Sequence, residues 1–253
     1  MCGGRGTRLG AVGEATEKPL VEVCGHAMVD RVLDALAGSR ADRVHAVVSP
    51  QAPATREHLR ERARAGDARD GDDSRNGGGS LAVVDAPGDG YVADLGYALE
   101  RVDCPVLTVA ADLPLLSAAV IDRVLAAAGE RDGDPDASLA VYVPVELKRD
   151  LGVSVDSETA TTVDGRAVAP TGLNLVGDDG SRDGDGRDDG YDDDSRDDGY
   201  DDGSRDGSLV LADERLAVNA NRPRDLRVAE ALSRRERGDG GPCTPDPTDT
   251  TTP

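Results

Sequence analysis

The chain has 253 residues, of which 38% are apolar, and its 29 Lys+Arg against 50 Asp+Glu give a formal net charge of −21. This length allows one large α/β domain or two small ones. No run approaches the roughly 18 apolar residues of a membrane span, and no signal peptide is recognisable, so we expect a cytoplasmic protein without a membrane span. The negative field and the lack of a basic stripe argue against a nucleic-acid partner.

The types of charged and sulfur-containing residues are also informative. Lys18 and Lys148 are the two lysines, and the other 27 basic residues are arginines. Because the chain is also rich in aspartate, we interpret its surface as halophilic. In 1 M salt, the repulsion between its negative charges is screened beyond about 3 Å. Cysteines at positions 2, 24, 104 and 243 have no CxxC spacing, which argues against both a zinc site and a disulfide framework.

Short β-branched stretches alternate with helical patterns along the chain. This alternation predicts an α/β fold with a mainly parallel, mixed sheet flanked by helices. In chain order, the predicted elements are helix 27–38, strand 44–49, helix 54–64, strand 81–85, helix 91–102, strand 106–110, helix 118–130, strands 139–145, 173–176 and 209–211, and helix 223–235.

Three stretches interrupt this pattern. Residues 66–80 are rich in Gly, Asp and Ser, residues 178–208 hold 14 Asp and 4 Arg, and the segment 237–253 is rich in Pro, Thr and Asp. The second stretch repeats Arg-Asp-Asp-Gly-Tyr, and its spacing does not match the calcium loop of an EF-hand. We therefore predict a single domain over residues 1–236, with two flexible insertions and a disordered tail.

The opening of the chain is glycine-rich and cationic. It reads Gly3-Gly4-Arg5-Gly6-Thr7-Arg8, and Lys18-Pro19-Leu20 follows ten residues after Arg8. Glycines let backbone amides approach phosphate oxygens, and two arginines and a lysine converge on the same loop. In a chain this acidic, such a cluster suits a triphosphate; the alternative is a solvated turn. The pattern matches neither a P-loop nor a GxGxxG fingerprint.

Four further segments end or flank predicted strands. Asp112 follows a buried strand, where it is well placed to hold Mg²⁺ against phosphates or simply to cap a turn. Residues 85–91 offer backbone groups that suit a base or ribose, although an ordinary Pro-Gly turn fits equally well. Residues 171–174 and 218–221 place asparagine amides beside strands, and buried asparagine usually serves structure.

Together these motifs resemble those of the archaeal, haloarchaeal-type GTP:adenosylcobinamide-phosphate guanylyltransferases of the MobA-like NTP transferase superfamily. The resemblance runs from residue 1 to about residue 236 and rests on the opening loop with residues 17–20, and on residues 88–95, 111–113, 171–174 and 218–226. It implies a Rossmann-like nucleotidyltransferase fold, transfer of GMP from GTP, and GTP and adenosylcobinamide phosphate as partners. The sequence is compatible with a homodimer.

The resemblance also implies roles for individual residues. The expected phosphate ligands of GTP are Gly3, Gly4, Arg5, Gly6, Thr7, Arg8 and Lys18. The residues expected near guanine are Gly88, Gly90 and Tyr91, and Asn174 is a further candidate for GTP binding. The expected catalytic residues are Arg8, Lys18 and Asp112, with Asp112 also expected to hold a Mg²⁺ cofactor.

Two departures from related sequences bear on these expectations. Molybdenum-cofactor guanylyltransferases typically carry Ser-x-Arg-Met-Gly where this chain has Gly-Thr-Arg-Leu-Gly at 6–10. Family members also have a hydrophobic strand before the glycines, whereas this chain begins at Met1. We therefore expect roughly five residues of a central strand to be missing. Because each buried backbone group left unpaired costs about 1–3 kcal/mol of stability, we expect the chain as written to fold poorly.

The open alternatives come from two classes of function. One is guanylyl or cytidylyl transfer to another phosphorylated acceptor, such as molybdopterin or a sugar phosphate. The other is a nucleotide-binding regulator that has kept the fold without turnover.

Overall fold

The structure, a computed structural model, describes residues 1–2, 6–67, 80–130, 137–178 and 207–238. Most of the expected insertions, the tail from residue 239, and Gly3, Gly4 and Arg5 of the opening loop lie outside the described residues. What the sequence predicts for them, including the domain limits, stays a prediction.

Strands and helices alternate through the described residues. The strands are β1 (Glu22–Val23), β2 (His26–Ala27), β3 (Val44–Val48), β4 (Leu81–Asp85), β5 (Val106–Val109), β6 (Leu139–Pro144), β7 (Thr161–Val163), β8 (Arg166–Val176) and β9 (Gly207–Val210). The helices are α1 (Ala11–Ala15), α2 (Met28–Ala37), α3 (Pro53–Asp67), α4 (Tyr91–Leu99), α5 (Ala118–Gly129), α6 (Val145–Asp150), α7 (Glu214–Ala217) and α8 (Pro223–Arg237). Short 3₁₀ turns occupy Thr7–Leu9 and Lys18–Leu20.

β1 and β2 form a separate antiparallel pair, and the other described strands form a mixed sheet in two parts. β3 pairs in parallel with β4, and the other part has the order β5-β8-β6-β9, with β7 on β8. β8 runs antiparallel to β5, β6 and β7, whereas β6 and β9 are parallel. The sheet is therefore mixed, as predicted, but it is not mainly parallel among the described strands, because β8 runs antiparallel to three neighbours and only two pairs are parallel.

Met1 and Cys2 lie between the two parts of the sheet. The α-amino group of Met1 donates a hydrogen bond of 2.8 Å to the Val109 carbonyl, and the Ala111 amide donates to the Met1 carbonyl at 3.3 Å. On the other side, the Cys2 amide donates to the Val47 carbonyl at 2.8 Å. These two residues thus bridge β3 and β5.

Two apolar clusters support the edge of the sheet at which the strands end and the connecting loops begin. In the first, Val32 and Leu36 of α2 pack with Ile121 of α5 against β5, β6 and β8. In the second, Leu9 and Leu226 are among the side chains that join the opening loop to α8. Full burial of a side chain of this size contributes about 1.5–3 kcal/mol. The loops at this edge therefore rest on packed side chains.

Two further features differ from the expectations. β8 begins at Arg166, seven residues before the predicted strand, because its buried positions alternate through Pro170 and Gly172, which resemble a turn in sequence. Cys24 is disulfide-bonded, so the expectation drawn from cysteine spacing is wrong for this residue. No helix among the described residues has both the length and the apolar character needed to cross a membrane.

Candidate active site

Lys18 lies at the centre of the site. Its Nζ donates a hydrogen bond of 2.6 Å to Oδ2 of Asp112 and another of 2.7 Å to Oδ1 of Asn221. The side chains of Lys18 and Asp112 are only 15% and 16% exposed. Three segments far apart in sequence therefore meet at one ammonium group, and two of the predicted catalytic residues are in direct contact.

Asp112 follows β5 at the carboxyl end of that strand. Its main-chain carbonyl accepts a hydrogen bond of 2.9 Å from the Ala220 amide, which ties it to the loop before α8. Its side-chain Oδ1 is buried and has no hydrogen-bond partner among the described residues. An unpartnered carboxylate oxygen is costly, so this atom is suited to an added cation or donor.

A cleft of about 340 Å³ opens beside Lys18 and Asp112. Its lining includes Gly88, Gly90 and Tyr91, three residues that the resemblance places near guanine. Tyr91 is 52% exposed. Burial raises the pKa of its phenol, and the Asp112 carboxylate raises that pKa further. The hydroxyl is therefore protonated at neutral pH and available to donate a hydrogen bond.

The turn at Gly88 shows why glycine is needed there. Its φ is +89°, and an added Cβ would lie 2.7 Å from Cδ of Pro50. The Gly88 amide donates a 2.7 Å hydrogen bond to Oδ1 of Asp94, a buried carboxylate that also lines the cleft. Asp94 is not among the predicted site residues, although it lies within the motif of residues 88–95.

The described part of the glycine-rich loop, residues 6–10, packs closely against α1. Gly6 has a φ of +66°, and a Cβ added at Gly13 would lie 2.1 Å from the Gly6 carbonyl oxygen. Thr7 lines a more open groove of about 560 Å³ together with residues 13–17 and Gln51. The sequence motif points to Gly6, whereas the contact with Gly13 is visible only in the structure.

Arg8 pairs with Asp156 and not with the other predicted catalytic residues. Its Nη1 lies 3.1 Å from Oδ2 of Asp156, and its side chain is 65% exposed. It does not line the cleft. The structure thus brings Lys18 and Asp112 together and leaves Arg8 on the neighbouring surface, where it pairs with a carboxylate.

Glu17, the residue before Lys18, is held by hydrogen bonds at the start of α3. Its carboxylate accepts hydrogen bonds of 2.9 Å from the Ala54 amide, 2.7 Å from the Thr55 amide and 2.6 Å from the Thr55 hydroxyl. Burial raises the pKa of Glu17, but the bonds from Thr55 and Ala54 lower it more, so the net pKa lies below its ordinary value. Glu17 therefore anchors Lys18 to the start of α3.

Asn174 lies within the sheet, on β8. Its Oδ1 accepts a hydrogen bond of 3.3 Å from the Val141 amide, at the irregularity between β6 and β8. It does not line the cleft. The structure therefore does not bring Asn174 together with Lys18 and Asp112, and its role in GTP binding stays a prediction.

Residues 218–222, which we call the amide loop, complete the site from the side of α8. The fully buried Asp225 accepts hydrogen bonds from the Asn221 and Arg222 amides at 3.2 and 2.8 Å. The same carboxylate accepts bonds of 2.8 and 2.6 Å from the amide and hydroxyl of Ser154. Asn221 is therefore held by its own backbone while its side chain reaches Lys18.

The residues present suit a magnesium ion at one point. The described residues contain no group of three His, Cys, Asp or Glu side chains that could hold a metal. Mg²⁺ is commonly held, however, by one or two carboxylates together with substrate phosphates and water. The unpartnered Oδ1 of Asp112 meets that requirement.

Solved structures with the same architecture show the class of fold. A Bacillus anthracis protein assigned as a glucose-1-phosphate thymidylyltransferase superposes with a TM-score of 0.59 at 13% identity, covering 92% of this chain and 93% of that one. A CMP:2-keto-3-deoxy-manno-octonic acid synthetase, solved with CTP, gives a TM-score of 0.54 at 12% identity over 87% and 92%. The fold is that of the Rossmann-like nucleotidyltransferases.

The sequence comparisons narrow this class. The model of the MobA-like NTP transferase domain matches residues 1–151, and the chain belongs to that family. An adenosylcobinamide-phosphate guanylyltransferase of Methanocaldococcus jannaschii is 28% identical over 179 residues, which cover 70% of this chain and 78% of that protein.

Proposed function

We propose that the protein transfers GMP from GTP to adenosylcobinamide phosphate, giving adenosylcobinamide-GDP and pyrophosphate in the assembly of the cobalamin nucleotide loop. Its membership of the MobA-like NTP transferase family supports nucleotidyl transfer. The name of the M. jannaschii relative supports this donor and acceptor. The motifs of the opening loop and of residues 218–226 support the same choice.

One observation carries the proposal. The Lys18 ammonium lies at the cleft, fixed between Asp112 and Asn221 by bonds of 2.6 and 2.7 Å. A cation held in this way is oriented before the substrate binds, so it stabilises charge that develops on the departing phosphates without reorganisation. In a chain of net charge −21, that arrangement fits an anionic donor.

The reaction needs alignment and charge neutralisation. An oxygen of the acceptor's phosphate monoester attacks the α-phosphorus of GTP, the new P–O bond forms, and the bond to the β-phosphate breaks to release pyrophosphate. The nucleophile is already an anion near neutral pH, so no general base is required. Lys18 stabilises the pyrophosphate as it leaves, and Arg8 adds positive charge from the neighbouring surface.

Asp112 is the residue that would hold Mg²⁺. When bound, the ion would supply further neutralisation of the phosphate charge. The chain's own contribution is to keep the Asp112 carboxylate in place, through Lys18 on Oδ2 and the Ala220 amide on the main-chain carbonyl.

The direct test is formation of the product. The protein, GTP, Mg²⁺ and adenosylcobinamide phosphate are incubated together, and the GDP adduct is measured by mass spectrometry alongside pyrophosphate release. We expect the adduct with GTP and little product with CTP. Product only with molybdopterin or a sugar phosphate would overturn the acceptor, and nucleotide binding without pyrophosphate release would favour a regulator.

The role of Lys18 has its own test. Lys18→Ala should lower turnover by about 10²-fold or more, as for the loss of one preorganised electrostatic donor. The control is Arg40→Ala, which removes an exposed cation paired with Asp122 and should leave turnover unchanged. Near-normal transfer by Lys18→Ala would contradict the assignment.

A further inference from the structure

The two lysines of the chain, Lys18 and Lys148, converge on the same short segment. Lys18 bonds to Asn221 of the amide loop, and Lys148 bonds to Asn219 of the same loop, with an Nζ to Oδ1 distance of 2.9 Å. In a chain that uses arginine for its other 27 basic residues, both exceptions contact the amide loop. The proposed reaction gives no role to Lys148, although this residue contacts the same loop as Lys18.

Lys148 is buried at the end of a short helix. Its exposed fraction is 4%, and its Nζ also donates a 2.8 Å bond to the Ala217 carbonyl. Burial lowers the pKa of Lys148, and the charges of Asp225 and Asp112 raise it in part. A buried ammonium is expensive unless it is paired and hydrogen-bonded, and here its two protein acceptors are Ala217, just before the amide loop, and Asn219 within it.

The bonds of Asn219 fix the orientation of its side chain. Oδ1 accepts from Lys148, and Nδ2 donates a 2.7 Å bond to the Thr171 carbonyl on β8. Thr171 is itself fully buried, and its hydroxyl donates to the Val141 carbonyl at 2.9 Å. The amide of Asn219 is therefore clamped between α6 and the sheet.

Hydrogen bonds within and beside the amide loop connect Asn219 to the contacts of Lys18, two residues further along the loop. The Asn221 amide donates to the Asn219 carbonyl at 2.9 Å, and the intervening Ala220 amide donates to the Asp112 carbonyl at 2.9 Å. Asn221 then presents its own Oδ1 to Lys18. A continuous series of contacts thus runs from the buried lysine to the one at the cleft.

We propose that Lys148 is a positioning residue, which fixes the amide loop so that Asn221 holds Lys18 against Asp112. As a contribution to catalysis, this role rests on the proposed function. As a statement about the position of Lys18, it does not.

The composition of the chain makes the position of Lys18 directly observable. Protein labelled with ¹³C and ¹⁵N in lysine alone gives two side-chain NMR signals, one from each lysine. In Lys148→Met, which keeps the length of the side chain and removes its charge, one signal disappears and we expect the Lys18 signal to shift. The control is Arg149→Met, an exposed cation next along α6, which should leave the Lys18 signal in place. An unmoved Lys18 signal in folded Lys148→Met overturns the proposal.

Asn219→Ala gives a second route if Lys148→Met fails to fold. This variant leaves Lys148 bonded to the Ala217 carbonyl and removes both side-chain bonds of Asn219, the one from Lys148 and the one to the Thr171 carbonyl. The Lys18 signal should again shift. A Lys18 signal that stays in place in Asn219→Ala would overturn the proposal, because the restraint is argued to pass through this amide.

Kinetics distinguish positioning from a purely structural role. Lys148→Met should lower kcat roughly tenfold or more, since small misplacements at a reacting centre are costly. In an Asn221→Ala background, the same substitution should have little further effect, because the contact that it acts through is gone. Equal losses in both backgrounds overturn the proposal. If the wild type makes no GDP adduct, the proposed function fails, while the NMR result still decides the role of Lys148.

Discussion

The glycine-rich loop and the amide loop both reach Lys18, and different forces hold them in place. At the glycine-rich loop, backbone packs on backbone, with Gly13 directly against the Gly6 carbonyl, and its cation Arg8 is exposed. At the amide loop, buried charged groups make the contacts, with Asp225 on one side and Lys148 on the other. The first is therefore sensitive to added volume, and the second to loss of a charged partner.

The largest effect is expected for Asp225→Asn. The buried carboxylate accepts four hydrogen bonds, and the substitution replaces one acceptor oxygen with a donor facing other donors. We expect a loss of about 3 kcal/mol or more in the free energy of unfolding, since bonds to charged groups contribute about 1.5–3 kcal/mol each. Denaturant unfolding measures the change.

Asp34→Asn is the matched control for this comparison. Asp34 pairs with Arg62 at the surface, and its side chain is 63% exposed. Exposed ion pairs contribute about 0–1 kcal/mol, so this variant should unfold almost as the wild type does. Equal losses for the two variants would show that burial of the amide-loop contacts is not what makes them strong.

The next effect concerns the glycine-rich loop. Gly13→Ala would place a Cβ 2.1 Å from the Gly6 carbonyl oxygen, so the loop must move. Overpacking of this kind costs about 1–3 kcal/mol, and we also expect weaker GTP binding by calorimetry. Gly96→Ala is the control, because a Cβ there meets nothing within 4 Å. That variant should be slightly more stable, and a Gly13 variant that binds GTP normally would contradict the proposed tight packing.

This contrast also explains how much of the molecule could be predicted from sequence. Most of the long helices and strands, including α2, α5 and β3, are correct to within a few residues, because their apolar periodicity is local. The glycine-rich loop and Lys18 follow from a contiguous motif. β8 is predicted too short because proline and glycine, present at 170 and 172, are disfavoured inside strands, whereas pairing with β5 and β6 overrides that local preference.

The amide-loop contacts could hardly be predicted from the sequence. Lys148 is 71 residues from Asn219, and Lys18 is 203 residues from Asn221, so no local spacing relates the partners. Asparagines beside strands predict nothing specific because most buried asparagines serve structure. The rarity of lysine is a usable signal, since the composition of the chain alone marks both Lys18 and Lys148.

Glu17 links Lys18, which both loops contact, to the start of α3, and its contribution to the stability of the fold should depend on pH. Because the folded pKa lies below the ordinary value of 4.5, the charged carboxylate stabilises the fold at neutral pH, and this contribution is lost as the pH falls from 4.5 through the lower folded pKa. Glu17→Gln should cost about 1 kcal/mol at pH 7, as for loss of a helix cap. The difference from wild type should shrink on acidification.

The measurement for Glu17 is the Tm of both proteins at several pH values. Glu22→Gln, at an exposed position in β1, is the control and should track the wild type throughout. A Glu17→Gln deficit that stays constant down to pH 3 would show that the carboxylate does not act through its charge.

The smallest effect on stability is expected for Arg8→Ala. The Arg8–Asp156 pair is exposed, so its loss should change the free energy of unfolding by less than about 1 kcal/mol. If Arg8 adds positive charge from the neighbouring surface, the variant should instead raise the KM for GTP, and the difference should fade in 1 M salt, where charges are screened beyond about 3 Å. Asp156→Asn is the informative partner variant: it releases Arg8 from its carboxylate, so it should leave KM unchanged or lower it. A KM for Arg8→Ala equal to that of the wild type at low salt would mean that, of Arg8 and Lys18, only Lys18 supplies charge to the phosphates.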